Sequence, residues 1–435
     1  MAGFALKLKK QLVKSIREMS LDPSRFSVNP QKDFTRKGKL GFEKTVALLL
    51  SMEGKSLNSE LLSFFSCSES VPSSSAFVQS RAKLNSDAMP FLFESFSSKT
   101  PKMFYKGYSL LAVDGSSLQI PYNPDDPDSL ITYTNGQRPV NLLHLNALYD
   151  LCSHTYSDAL IEGRNSFNEQ RALIHMCERN SFRRSIYIAD RGYESYNLLA
   201  HIQNAGGKFL IRIRNSLGIA QGLDLPETDE FDCHFSLKIA GRRTKTLNSS
   251  VPAHCVFKYV SPQTFDYGEL PLDKNACFTL LFRVLRFRLS EGNFETVITN
   301  LDSRSFPSEE IKALYNMRWG IETSFRELKY TIGLLHFHSK KVEYIHQEIF
   351  ARLIMYNFCE LIASYTIIHQ SKRKYAYKVN FSAAVHICRQ FFRGNISPHL
   401  VETLLSKYIS PIRPDRQSPR TPPARGLVSF NYRIA

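Results

Sequence analysis

Two short stretches of the chain are apolar at every position, a pattern typical of strands buried on both faces of a sheet. Residues 110–113 read LLAV and residues 186–189 read IYIA. Asp114 directly follows the first stretch and Asp190 the second, with Gly115 and Gly192 close behind. Because Asp and Gly favour turns, we predict two core strands that each end at an aspartate.

The rest of the hydrophobic pattern predicts a mixed α/β protein. Strands are expected at residues 141–152 and 155–162, a helix at 168–180, then the second core strand, a helix at 196–206 and a strand at 208–215. Three strands, a helix and a further strand is the order in which a ribonuclease-H-like sheet begins. The sequence contains neither GxGxxG nor GxxxxGK[ST], which argues against a nucleotide cofactor.

Five regions follow from these patterns. We predict a helical N-terminal region at 1–100, the first part of the catalytic core at 101–215, a β-rich insertion with short alternating runs at 216–291, the second part of the core at 292–345, and a helical C-terminal region with a basic tail at 346–435. The fold class is therefore α/β, a ribonuclease-H-like mixed sheet flanked by helices.

A helix without proline is predicted from residue 308 onward, and one narrow stripe of it carries chemistry. Four polar or charged side chains lie within a sector of roughly 60° at helical spacing: Tyr315, Arg318, Glu322 and Lys329. Such a stripe is also compatible with a solvated face, on which Glu322 pairs with Arg318 or with Arg326.

Three carboxylates from distant parts of the chain form the candidate site. Asp114, Asp190 and Glu322 match the set with which a ribonuclease-H-like fold holds two divalent metals. Oxygen ligands favour Mg²⁺, with Mn²⁺ as an alternative. We predict that all three are catalytic and bind metal, although an aspartate before a glycine is also a common structural turn. Three aspartates at 125, 126 and 128 are rival ligands, but their proline-broken context predicts an exposed loop.

The spacing Tyr-x2-Arg-x3-Glu-x6-Lys resembles the YREK signature of the IS4 family of bacterial transposases, members of the DDE superfamily. The VDGSS and ADRGY contexts of the two aspartates agree, and the likeness covers residues 33–357. The resemblance implies a cut-and-paste DNA transposase that cleaves transposon ends with metal ions and transfers the strands into target DNA. It also implies that Tyr315, Arg318 and Lys329 bind the end of the DNA, with Arg191 as a further candidate.

The position of the tryptophan differs from that in the better-known relatives, in which a tryptophan of the β insertion stacks on a flipped base. The only tryptophan here is Trp319, outside that insertion. We interpret it as a core residue, with stacking on DNA as the alternative. A phenylalanine or tyrosine of the insertion would have to replace the missing tryptophan, and whether a hairpin intermediate forms stays open.

The charge of the chain is concentrated at its two ends. The formal net charge is +16: residues 1–44 contribute +7, residues 372–435 contribute +10, and the residues between them contribute −1. This pattern predicts a polyanionic partner; a membrane-surface patch is the alternative. By resemblance the N-terminal region binds DNA, with five phosphate-contacting candidates: Arg36, Lys37, Lys39, Arg81 and Lys83.

The predicted partners are double-stranded DNA, namely terminal inverted repeats and target, and a second copy of the chain, since two ends must be brought together. The sequence lacks a run of about 20 apolar residues and a signal-peptide core, which predicts a cytoplasmic, nucleoid-associated bacterial protein. Two other functions remain open: a non-catalytic DNA-binding protein derived from a transposase, and a ribonuclease-H-like nuclease without strand transfer.

Overall fold

The computed structural model describes residues 2–36, 38–134, 136–179, 184–214, 218–240, 256–260, 277–368 and 375–412. Its strands are β1 (Ser109–Ile120), β2 (Leu130–Ile131), β3 (Val140–Asp150), β4 (Thr155–Gly163), β5 (Ser185–Ala189), β6 (Lys208–Arg212), β7 (Phe231–Ala240), β8 (Val256–Tyr259), β9 (Cys277–Ser290), β10 (Asn293–Thr299), β11 (Tyr377–Val379) and β12 (Ile409–Pro411).

The helices of the described residues complete the architecture. They are α1 (Ala2–Leu21), α2 (Phe42–Ser51), α3 (Leu57–Phe64), α4 (Ser74–Arg81), α5 (Ala88–Lys99), α6 (Glu169–Arg179), α7 (Tyr196–Asn204), α8 (Ser308–Met317), α9 (Trp319–Tyr330), α10 (Val342–Ser364), α11 (Phe381–Arg393) and α12 (Pro398–Lys407). None of the helices in the described ranges is long and apolar enough to cross a membrane.

One large mixed sheet forms the centre of the protein. Its strand order is β2-β3-β1-β5-β6-β10-β9-β7-β8, with β4 also on β3. The first three long strands, β1, β3 and β4, are antiparallel where they pair. Strand β5 then pairs with β1, and β6 with β5, both in parallel. This order of antiparallel and parallel strands confirms the predicted ribonuclease-H-like sheet.

Strand β1 runs further than the sequence predicted. It pairs in parallel with β5 only as far as Ala112, but it continues along β3 to Ile120. Gly115 therefore lies within the strand, and the prediction that the chain turns there is wrong. The antiparallel partner β3 satisfies the backbone of β1 after its parallel partner has ended.

The two faces of β1 contact different helices, because successive side chains of a strand point to opposite sides. Leu110 and Ala112 pack in the core that contains α9, α10 and the N-terminal helices. Leu111 and Val113 pack in the core that contains α6 and α7. Alternation therefore places Asp114 on the α9 face and Gly115 on the α6 face.

The described strands of the predicted insertion extend the main sheet through the pairing of β9 with β10 and β7 with β9. Arg283 of β9 is buried, and its guanidinium donates to the carbonyl oxygens of Leu301 and Phe306 at 3.1 and 3.0 Å. Asp232 of β7 pairs with Arg283 and accepts from Ser308 Oγ at 2.9 Å. The insertion thus fixes the start of α8.

The N-terminal helices share their hydrophobic core with the C-terminal helices, notably α2 and α5 with α10. Arg81 is buried, and its guanidinium donates to Glu348 of α10 at 2.8 Å. The prediction that Arg81 contacts phosphate is therefore wrong. Lys37 lies outside the described residues, and the limits of the five predicted regions remain a prediction.

Candidate active site

Asp114 and Asp190 lie where two parallel strands separate. Strand β5 ends at Ala189, one residue before Asp190, and β1 loses its pairing to β5 after Ala112. The Asp190 Oδ1 atom accepts from the backbone N–H of Arg191 at 2.7 Å, which starts the tight turn that follows. We name the region between these two strand ends the crevice, because ligands of α/β sheets bind at the carboxyl ends of parallel strands.

Asp114 is half-buried on the α9 face of β1. Its Oδ1 atom accepts from the backbone N–H of Gly115 at 2.9 Å. Burial raises the pKa of Asp114 to about 6, and the nearby carboxylates of Glu322 and Glu169 act in the same direction, whereas Arg318 opposes them. A cation beside this carboxyl group would offset both the cost of burying its negative charge and the repulsion from the two glutamates.

The helix that carries Glu322 is interrupted once. The sequence predicted one continuous helix, but α8 ends at Met317 and α9 begins at Trp319, with Arg318 between them. Arg318 keeps helical dihedral angles, φ −49° and ψ −34°, so the direction of the chain is retained. Its Nη2 atom donates to Glu322 Oε1 at 2.8 Å.

All four side chains of the YREK stripe lie along this crevice. Lys329 Nζ donates to the carbonyl oxygen of Ser117 on β1 at 3.2 Å. Burial lowers the pKa of Lys329, and the charge of Asp114 opposes that shift. Tyr315 is buried, which raises its pKa, and Asp190 is among the charges that act on it. Helical spacing therefore predicted that the four side chains share one side of the helix. The packing of the helix on the sheet then directs that side toward the aspartates.

The predicted DNA contacts differ in their accessibility. Tyr315 and Arg318 are only 2% and 4% exposed, Lys329 is half-buried, and Arg191 is exposed. Trp319 is 49% exposed, with the Arg318 guanidinium 5.1 Å from its ring centroid. The prediction that Trp319 is a core residue is wrong, because its position at the start of α9 turns the indole away from the helix face that packs on the sheet.

Two further charged residues border the site without a sequence signal. Arg212, the last residue of β6, lies 3.7 Å from Asp190 and 3.4 Å from Glu295 of β10. These contacts join strands that are far apart in the chain, and only the pairing of β6 with both β5 and β10 brings them together.

A second pair lies on the opposite face of β1. His144 of β3 is buried, and its Nε2 atom lies 3.1 Å from Glu169 Oε1 at the start of α6. A Cβ atom added at Gly115 would lie 2.5 Å from Glu169 Oε1 and closer still to His144 Nε2. Gly115 is therefore needed for close approach of this pair.

The Gly115→Ala substitution is expected to lower the free energy of unfolding by about 1–3 kcal/mol, the usual cost of overpacking. The added methyl group would collide with His144, which is buried and has little room to move. Urea denaturation measures the change. Gly41→Ala is the matched control, because Gly41 has φ −79° and a methyl group added there would meet no heavy atom within 4 Å. Equal stability of the two variants would contradict the packing argument.

The donor chemistry at the crevice fits a hard divalent cation. Among the residues that the structure describes, no three His, Cys, Asp or Glu side chains are arranged to hold a metal ion together. Arg318 interacts instead with each predicted carboxylate: it donates to Glu322, and its charge acts on Asp114 and Asp190. Arg318 thus supplies a positive charge near each of the three predicted carboxylates, whose oxygen atoms are the type of ligand that Mg²⁺ or Mn²⁺ prefers.

Comparison with known proteins identifies the family of the chain. The family model described as the transposase DDE domain matches residues 105–358. The InsG transposase of insertion sequence element IS4 from Escherichia coli strain K12 is 27% identical over 296 residues, which cover 65% of this chain and 59% of that protein. The chain thus spans about three fifths of the length of that curated relative.

Among solved structures, the chain is similar to the piggyBac transposase in a synaptic complex with hairpin DNA. The TM-score is 0.42 at 11% identity, covering 95% of this chain and 87% of that chain.

The family match spans more than half of the chain and includes Asp114, Asp190 and Glu322. Together with the relative from IS4, it confirms the membership predicted from the YREK signature. The chain belongs to the transposase DDE domain family and, within it, to the IS4 group.

Proposed function

We propose that this protein is a DNA transposase that cleaves the ends of its element and transfers the strands into target DNA. One observation supports the proposal: Arg318 donates to Glu322, and its charge acts on both Asp114 and Asp190, although Asp114 and Glu322 are more than 200 residues apart in the chain. A structural turn or a solvated helix face does not require this convergence.

Asp114, Asp190 and Glu322 are the proposed metal-binding and catalytic residues. Members of the family use divalent metal ions. We assign two Mg²⁺ ions to this chain, with Mn²⁺ as an alternative, and Asp114, Asp190 and Glu322 would hold them. When bound, such ions activate a water or a 3′-hydroxyl as nucleophile and stabilise the leaving oxygen of an in-line displacement.

The cationic side chains around the crevice are proposed to hold the DNA backbone. Arg318 and Lys329 carry their charges beside the carboxylates, and Arg191 is exposed beside Asp190. Such charges fix the phosphate at the point of cleavage. Arg318 is 4% exposed and donates to Glu322, so a phosphate contact would require its side chain to turn toward the surface. Tyr315 would support Arg318 from within the protein.

The exposed indole of Trp319 is proposed to contact a base near the cleaved end. It is 49% exposed, the Arg318 guanidinium lies 5.1 Å from its ring centroid, and aromatic side chains of this kind stack on bases. The N-terminal region would add phosphate contacts through Arg36, Lys39 and Lys83, which lie in the segments between its helices. Because two ends must be joined, the proposed assembly on DNA is a dimer.

The purified protein is expected to nick and join a DNA that carries the terminal repeats of its own element, in the presence of Mg²⁺ and not in excess EDTA. Labelled strands resolved on a denaturing gel measure both products. Binding without any cleavage in Mg²⁺ or Mn²⁺ would favour a non-catalytic DNA-binding protein. Cleavage without joining would favour a nuclease of the same fold.

A further inference from the structure

Glu169 brings a further carboxylate to the crevice from the sheet face opposite to Glu322. It is the first residue of α6, and its charge acts on Asp114. Its Oε1 atom lies 2.5 Å from where a Cβ of Gly115 would be, and its Oε2 atom lies 3.5 Å from a Cβ placed on Gly192. The carboxylate thus lies between the residue that follows Asp114 and the turn that follows Asp190.

His144 fixes the position of Glu169. The imidazole is 4% exposed, lies 3.1 Å from Glu169 Oε1 through Nε2, and packs with its ring centroid 4.2 Å from that of Phe167. Its buried Nδ1 atom has no hydrogen-bond partner among the described residues. The geometry therefore favours the tautomer in which Nε2 carries the proton and donates to Glu169.

The attachment of α6 does not depend on Glu169. Arg171 donates to Glu162 of β4 at 3.0 Å, and Arg179 donates to Asp158 of β4 at 3.0 Å. The apolar residues Leu173 and Met176 of the same helix are fully buried. These contacts hold α6 on the sheet without the carboxylate of Glu169.

We propose that Glu169 is a fourth carboxylate of the divalent-metal centre and that His144 is its positioning residue. This inference rests on the proposed function, because it assigns one more oxygen ligand, direct or through a water molecule, to the same ions. With Glu322 on one face of the sheet and Glu169 on the other, the crevice would enclose the ions from both sides. Carboxylate oxygens at both sides suit Mg²⁺ and Mn²⁺.

Mn²⁺ binding to the full-length chain tests the inference without relying on catalysis. Electron paramagnetic resonance of free Mn²⁺ gives the number of bound ions and their affinities. Glu169→Gln is expected to lower the affinity for at least one Mn²⁺ ion by about 10–100-fold, the usual effect of losing a supporting group of a metal site. Glu162→Gln is the matched control, because Glu162 anchors α6 through Arg171 on the same sheet face. It should bind Mn²⁺ as the wild type does.

Three further results separate the possible failures. Unchanged Mn²⁺ affinity in Glu169→Gln, together with weakened binding in Asp114→Asn, overturns the role of Glu169 and leaves the proposed function standing. Unchanged affinity in both variants overturns the proposed metal centre itself. An equal loss in Glu162→Gln and Glu169→Gln shows a general effect on α6 and also overturns the inference.

Circular dichroism melting shows whether each variant is folded. If Glu169→Gln unfolds, two other variants replace it in the titration. Glu169→Asp keeps the charge and shortens its reach, and His144→Gln displaces the carboxylate without removing it. Each should bind Mn²⁺ more weakly than the wild type. Wild-type affinity in both Glu169→Asp and His144→Gln would refute the inference.

Discussion

Replacing Asp114 with asparagine is expected to lower the rate of DNA end cleavage by at least about 10³-fold, while the affinity for end DNA changes little. Metal ions stabilise the charge of a phosphoryl transition state by several kcal/mol, and each 1.36 kcal/mol is about a tenfold change in rate. Asparagine has nearly the same shape and still accepts from the Gly115 backbone N–H, so β1 should be undisturbed. Single-turnover cleavage in Mg²⁺ and a gel-shift titration measure the two quantities.

The matched control for this substitution is Asp158→Asn. Asp158 is also an aspartate of the central sheet, and burial raises its pKa to about 6 as well, but it pairs with Arg179 of α6 rather than facing α9. Cleavage by this variant should stay within a few-fold of wild type. Full activity of Asp114→Asn would remove Asp114 from the active site, and a similar loss in both variants would point to a general effect of buried aspartates on the fold.

The second large effect is expected on stability. Glu348→Gln should lower the free energy of unfolding by about 3–5 kcal/mol, the cost of removing one partner of a buried ion pair. Glu348 is fully buried, with Oε1 2.8 Å from Arg81 Nη1 and Oε2 3.1 Å from His338 Nδ1. Without its charge, Arg81 and the buried Arg352 would lose the carboxylate that neutralises them. Urea denaturation followed by circular dichroism measures the change.

Acid should reveal the same interaction. Burial alone would raise the pKa of Glu348, but His338 and Arg81 outweigh it and lower the pKa to about 2, from an ordinary value of about 4.5. The ionised form is therefore favoured by folding, so its contribution is complete above about pH 4.5 and is lost as the pH falls toward 2. Glu348→Gln should flatten the stability profile in that window. The exposed pair of Glu18 and Lys99 provides a control, since Glu18→Gln should not alter the unfolding midpoint.

The connection between Arg81 and Glu348 has a consequence for DNA binding by the N-terminal helices. Because α4 is tied to α10 through this buried pair, the N-terminal and C-terminal helices are held in one core. A DNA end held by the N-terminal helices would therefore be positioned with respect to the catalytic crevice. The sequence predicted phosphate contact for Arg81 because a basic residue near the end of a helix has no visible partner among its neighbours in the chain.

Local patterns predicted most of the elements that surround the site. Apolar runs predicted β1 and β5, and helical spacing predicted that Tyr315, Arg318, Glu322 and Lys329 share one side. They failed at β1, whose continuation beyond Asp114 depends on pairing with β3 rather than on its own residues. They failed again at Trp319, because burial of an aromatic residue depends on what packs against it, and nothing in the adjacent sequence shows that.

The chain by itself determined the family and most of the strands and helices around the site, and it predicted the three carboxylates, because periodicity and motif spacing are local properties of a sequence. Only the tertiary structure decided that Arg318 interacts with all three carboxylates and that Arg212 joins Asp190 to Glu295. It also brought Glu169 and His144 together beneath Gly115. These contacts join residues from separate strands and helices, and the order of strands in the sheet, rather than distance along the chain, sets which of them meet.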